Sequence, residues 1–420
     1  MDAKESVAEP DDYLMTWNRT VTQILLLILL VLSRSPLLGA ESSGTVPFIF
    51  DDNRVFAQLE FIRPDGIMRK AYAFVDLGTP VMVLDQKLHQ ELQVDQTSSF
   101  RFRVGGLEIK VESFETDTGL GMTGGDGKRT VPVEAVLSAS VLTNYQVVFD
   151  YAKRTLTIAK PITLEAKGDA IPCRVNEKTG LVSITAEIGG HPYAIAVDTG
   201  SAYSWVNDTV AKQWTTAHPD WKRGIGAIGE ANMQTGTDGA EARAEVLRLP
   251  EIKLSSLKLR QVGMLGIALQ APPVPPVRGQ NTVEGNFFDW YSQKAPEPVI
   301  GWLGGNVLKD FRVMIDFPRH TTYWEQESDL DPHDLDQVGV TLEKRDNGYF
   351  VAGIAEKAGK ATVDGVQVGD KLIQIDDVRV SDATRGAIFA ALHGGPGSVR
   401  LLMIERGGQR LKVLAKITAF

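Results

Sequence analysis

The chain has 420 residues, 43% of them hydrophobic, enough apolar material for two or three cored domains but too long for one. Its formal charge is -9 and its basic residues form no stripe, which argues against nucleic acid as a partner. Cys173 is the single cysteine and the six histidines lack ligand spacing of the HExxH kind, so no disulfide, metal or other cofactor is expected.

The first feature in chain order is an apolar run at residues 21–32, behind Arg19 and interrupted by Ser33, Arg34 and Ser35. It is short for a membrane span. Residues 1–40 read as a signal peptide or an N-terminal anchor, with residues 21–32 giving membrane anchoring if the segment is retained. Export without disulfides points to a bacterial periplasm, or the periplasmic face of the membrane.

Residues 45–163 and 170–326 alternate short Val/Ile/Leu runs with Gly-rich turns, which predicts mainly β structure on either side of a polar linker at Glu165–Asp169. In the first segment the apolar run 71–75 delivers Asp76 into Leu77, Gly78 and Thr79. In the second, the run 193–197 delivers Asp198 into Thr199, Gly200 and Ser201, followed by Trp205 and Val206. A carboxylate at the end of an apolar strand is costly unless hydrogen-bonded. The glycines let backbone amides approach it, and Thr79 and Ser201 offer hydroxyls. A second block repeats in the same order: Val133–Leu142 with Val147–Asp150, then Val299–Leu308 with Val313–Asp316. The two halves read as an internal duplication.

The second half is longer. It carries an insertion between Val206 and Val246 that is Gly-rich near Gly226, Ala227, Ile228 and Gly229, where a mobile flap over Asp198 is expected. Gly224, Gly226 and Gly229 also match GxGxxG, but neither a strong strand before them nor a helix after them is predicted, so no dinucleotide site follows. A proline run at residues 271–277 reads as a stiff connector, and residues 286–291 supply an aromatic cluster, either a lid or a packed loop.

The stretch Asp198-Thr199-Gly200-Ser201 with Trp205-Val206 resembles the active-site motif of aspartic proteases, and Asp76-Leu77-Gly78-Thr79 resembles a second copy. The resemblance implies two tandem acid-protease (retropepsin-like) β-barrel lobes forming a pepsin-like bilobal unit. Asp76 and Asp198 would be the catalytic pair, supported by Gly78, Thr79, Thr199, Gly200 and Ser201, and the substrate a protein or peptide. Such pairs share one proton, because two carboxylates ~3 Å apart repel by about 5 kcal/mol at an effective dielectric near 20. One carboxylate activates a water while the other hydrogen-bonds the scissile carbonyl. Leu77 departs from the Thr or Ser that the family places after each aspartate. Two alternatives to a single-chain monomer therefore stand beside it: a homodimer using Asp198 from each chain, and an inactive peptide-binding adaptor.

Residues 334–420 form a third segment. Ala358-Gly359, the run Gly369-Asp370-Lys371-Leu372-Ile373, a helix from Ala383 to Leu392 and a strand at Val399–Ile404 together resemble a PDZ domain. The resemblance implies that a peptide ligand adds as a strand along Val338, Gly339, Val340 and Leu342, with Ile388 and Leu392 as the opposite wall. On this reading the module is a separable recruiting device.

Overall fold

A computed structural model describes residues 41–94, 99–112, 114–117, 131–226, 240–268, 287–345 and 347–420. The apolar run 21–32 and the proline run lie outside the described residues. The protein is mainly β.

The first lobe contains β1 (Ser43–Asp51), β2 (Arg54–Ile62), β3 (Met68–Asp76), β4 (Met82–Asp85), helix α1 (Gln86–Leu92), β5 (Phe100–Val104), β6 (Leu107–Val111), β7 (Phe114–Asp117), β8 (Val133–Ser138), β9 (Gln146–Asp150) and β10 (Thr155–Ala159). Period-two burial sets the register: Val55, Ala57, Leu59 and Phe61 of β2 and Phe100, Phe102 and Val104 of β5 all face the core. Helix α1 follows β4 because Asp85 caps it, accepting from the Leu88 amide at 2.6 Å. No helix is expected from the sequence directly after the first aspartate motif, so α1 is an addition.

The second lobe repeats the order with β11 (Asp169–Val175), β12 (Val182–Ile188), β13 (His191–Val197), β14 (Ser204–Asn207), α2 (Asp208–Ala217), β15 (Lys222–Ile225), β16 (Glu245–Leu254), β17 (Leu257–Ile267), α3 (Phe287–Ser292), β18 (Gly301–Leu303), α4 (Gly305–Leu308), β19 (Phe311–Asp316) and β20 (Thr321–Gln326). The pairings repeat as well. Strand β3 runs parallel to β8, and β13 parallel to β18. Strand β4 runs parallel to β7 and antiparallel to β8, while β14 runs parallel to β17 and antiparallel to β18. Each aspartate thus leaves the end of a strand held between two neighbours.

The lobes are stitched by a six-stranded antiparallel sheet in the order β1, β10, β9, β19, β20, β11. At its centre β9 pairs with β19, and Gln146 Nε2 donates to Asp316 Oδ2 at 2.7 Å. One apolar core runs through both lobes, from Phe61, Phe102 and Phe149 to Leu249, Ile315 and Trp324.

The third module has β21 (Val340–Arg345), β22 (Gly348–Ile354), β23 (Glu356–Lys357), β24 (Lys360–Ala361), β25 (Lys371–Ile375), β26 (Val378–Arg379), α5 (Arg385–Leu392), β27 (Val399–Arg406) and β28 (Gln409–Lys416). Its sheet order is β21, β22, β25, β27, β28, with β26 on β25. It has its own core, but Leu335, Ala355 and Phe420 enter a second cluster with Trp205, Val246, Leu265 and Trp302 of lobe two. Arg248, buried in lobe two, pairs with Asp334 and donates through Nη2 to the Phe420 carbonyl at 3.1 Å. The module and lobe two thus share a buried interface.

Candidate active site

The two aspartate turns meet. Asp76 is buried and Asp198 half-buried, and each carboxyl lies against the glycine of the opposite turn, close enough to act on the other's protonation. Each receives its own turn amide: Gly78 N–H donates to Asp76 Oδ1 at 2.8 Å, and Gly200 N–H to Asp198 Oδ1 at 2.8 Å. The glycines are required by the approach of the opposite acid. A Cβ on Gly78 would lie 2.5 Å from the Asp198 carboxyl, and one on Gly200 would overlap that of Asp76.

The hydroxyls are not symmetric. Thr79 Oγ1 donates to Asp76 Oδ2 at 2.5 Å. Ser201 Oγ, expected to serve Asp198, donates instead to the Tyr203 carbonyl at 2.7 Å. Burial raises the pKa of Asp76, while the hydrogen bonds from Thr79, Asp198 and Gly78 pull it back. Burial, then the charge of Asp76, raises that of Asp198 well above the usual range, with the Gly200 amide opposing. The donor asymmetry favours the charge on Asp76 and the shared proton on Asp198.

Thr199 spans the lobes. Its hydroxyl donates to the Val75 carbonyl at 2.8 Å and accepts from the Leu77 amide at 3.1 Å. Leu77 has no hydroxyl to return the contact, and its side chain is buried in the core that both lobes share. The cross-lobe lock is therefore one-sided. Thr199→Val keeps the shape and leaves two buried backbone groups unpaired, so it should cost about 1–3 kcal/mol in urea unfolding.

Three residues near the pair escaped the sequence reading. Buried Arg54 donates from Nε to the Gly200 carbonyl at 2.9 Å, and its charge lowers the pKa of both aspartates. Tyr151 is buried, and its pKa is raised by burial and then by the charge of Asp198. Tyr203 packs behind the second turn. Their only sequence signals, an arginine after Asp52-Asn53 and two tyrosines, are shared by many surface residues. The aromatic cluster is a packed element: Phe287, Phe288 and Tyr291 of α3 lie on Trp302. Tyr291 still feels the dyad, since burial and then the charges of Asp198 and Asp76 raise its pKa.

The expected flap is reached only at its stem. Ala227, Ile228 and Gly229 lie outside the described residues. Gly226 is no free tip: its N–H donates to the Ala244 carbonyl at 2.8 Å, its φ is +100°, and a Cβ there would lie 2.8 Å from Ala355 Cα. Ile225 pairs with Glu356, so the third module holds the base of this insertion.

Residues 328–404 match the PDZ domain. The C-terminal module is a PDZ domain. None of the curated proteins matches the chain. A PDZ domain suggests recruitment of a protein or peptide partner. The side chains of Val338, Val340, Leu342, Ile388 and Leu392 all belong to the PDZ core. Val338 N–H donates to the Leu392 carbonyl at 3.1 Å, and the Gly339 carbonyl accepts from Ala355 N–H at 2.8 Å. That loop amide is engaged within the domain. A longer stretch of apolar residues beside a Gly loop reads alike whether it lines a groove or fills a core.

Proposed function

We propose that the chain is an aspartic endopeptidase in which Asp76 and Asp198 activate a water between two lobes of retropepsin-like type. The observation that carries this reading is the apposition of the two carboxyls, each held by its own Gly amide and set against the opposite turn glycine, with both pKa values raised. Two acids this close and this buried retain a proton that a solvated carboxyl would lose. Asp76, ionised, takes a proton from the water as that water attacks the scissile carbonyl. Asp198, protonated, gives its proton to the carbonyl oxygen of the tetrahedral intermediate; on collapse the C–N bond breaks as Asp76 passes the water's proton to the leaving amine and Asp198 takes its own proton back. Asp76 fills the place that Asp198 of a second copy would take, which supports the single-chain form over the homodimer. The PDZ domain would recruit the protein substrate, and the apolar run at 21–32 supports action outside the cytoplasm.

Digestion of a peptide library by the wild type and by Asp76→Asn, with cleavage sites mapped by mass spectrometry, tests the assignment. Cleavage in the wild type that is lost in the variant is expected. Cleavage that survives in the variant would return the second acid to another chain, and no cleavage in either would favour the adaptor. The pH dependence follows from the pair. Turnover needs one proton shared by two acids, so the rate should be bell-shaped. Because both pKa values are raised, the alkaline limb should lie above the ordinary aspartate range. A limb at the ordinary aspartate value would contradict the buried pair.

A further inference from the structure

Helix α5 of the PDZ domain touches the two lobes at both of its ends, and each contact leads to the turn that carries Asp198. At the N-terminal end Arg385 Nε lies 3.0 Å from Asp52 Oδ2, and Arg54 Nη1 donates to the same oxygen at 2.6 Å. Arg54 Nε then donates to the Gly200 carbonyl at 2.9 Å. All three side chains are nearly out of solvent, at 9%, 5% and 5% exposure for Arg385, Asp52 and Arg54. The contact is backed by Asp51, which accepts from Thr384 Oγ1 at 3.3 Å and from Gly386 N–H at 3.4 Å. At the C-terminal end His393 Nε2 lies 3.2 Å from the Tyr203 hydroxyl. The Tyr203 carbonyl in turn holds the Ser201 hydroxyl. Between the two ends lies a cavity of about 840 Å³, lined by Phe50, Tyr203, Lys309, Phe389 and His393 among others, so the ends carry the docking.

We propose that α5 is a positioning element of the catalytic loop, with Arg385, Asp52 and Arg54 acting as a relay that fixes the Gly200 carbonyl, and His393 bracing Tyr203 from the other end. The physical reason is that Asp52 is buried between two guanidinium groups. Loss of one leaves the carboxylate short of a partner, and a buried charge cannot be left so. Without Arg385, the Arg54 guanidinium turns fully to Asp52 and releases the Gly200 carbonyl, freeing the turn whose amide holds Asp198. PDZ docking would thereby set catalytic competence in addition to recruiting substrate. None of these residues touches the reacting atoms, so their role is positional.

The inference rests on the proteolytic reading, and the test separates the two. Arg385→Gln, Arg385→Lys, Asp52→Asn and Tyr203→Phe are made in the full-length chain and checked by thermal melting. Two readouts are taken: kcat and KM on a short peptide, and the rate at which an epoxide esterifies Asp76 and Asp198, located by mass mapping. In variants that melt like the wild type, kcat should fall about tenfold with KM nearly unchanged, and dyad labelling should slow in parallel. Arg385→Lys should recover part of the loss. Tyr203→Phe removes a single hydroxyl and keeps the proposal testable if the charge variants fail to fold. Wild-type kcat and labelling in every variant that folds would overturn the relay. A wild type that is labelled at the dyad yet cleaves nothing would overturn the protease, and the labelling comparison would still decide the relay.

Discussion

Asp198→Asn should melt a few degrees above the wild type at neutral pH while its peptide turnover falls at least about a thousandfold. The two effects have one cause. Asp198 is pushed well above the usual carboxylate range, by burial first and then by the charge of Asp76. From the unfolded-state pKa up to the raised folded value, the native protein binds more protons than the unfolded chain. Stability contributed by this group is thus full below the unfolded pKa and is lost as pH rises through that window. Asparagine carries no charge at any pH and can still donate to Asp76 through Nδ2. The gain in Tm should accordingly be largest near neutrality and vanish in acid below the ordinary aspartate value. Turnover is lost at all pH values, because the amide has no proton to give. Parallel melts and peptide assays across the pH range check both halves. A variant less stable than the wild type at neutral pH would mean that Asp198 is held by donors stronger than the single Gly200 amide.

Removal of everything after Gln326 should leave a chain that unfolds readily or aggregates, with activity on short peptides lost as well as on proteins. Leu335, Ala355 and Phe420 are buried with Trp205, Leu265 and Trp302, so the cut bares an apolar face of lobe two. Exposing such faces costs about 25 cal/mol per Å². Arg248 would also lose Asp334 and the Phe420 carbonyl, leaving a buried cation without partners from the PDZ side. Asp52 would lose Arg385 at the same time. Circular dichroism melts and size-exclusion profiles of the truncated and full-length chains provide the measurement. A truncated protein with full cooperativity and peptide activity would make the module an appendage and its contacts incidental.

The sequence alone determined the parts that are local. An apolar strand ending in Asp-x-Gly-Thr/Ser is a short-range pattern, because strand alternation and a turn glycine are read within ten residues. Its repetition announced two similar halves, and the spacing of Ala358-Gly359 to Gly369-Asp370 announced the PDZ domain. Asp76 and Asp198 were legible on that ground. Their meeting followed only from the resemblance, since nothing in either segment states that β9 and β19 will pair and bring the two turns together.

Tertiary structure decided the rest. Ser201 could have served Asp198 from its position in the chain, but a closer carbonyl on Tyr203 took its hydroxyl. Gly226 read as a flap, yet Ala355 from a module more than a hundred residues away packs against it. Val338, Leu342, Ile388 and Leu392 have the apolarity of either a groove or a core, and folding buried them. Arg54, Asp52 and Arg385 carry no pattern at all, because a buried ion network is defined by distances between segments that the sequence keeps far apart. Local chemistry is written in the order of residues; which donor reaches which acceptor is set by how the strands pair.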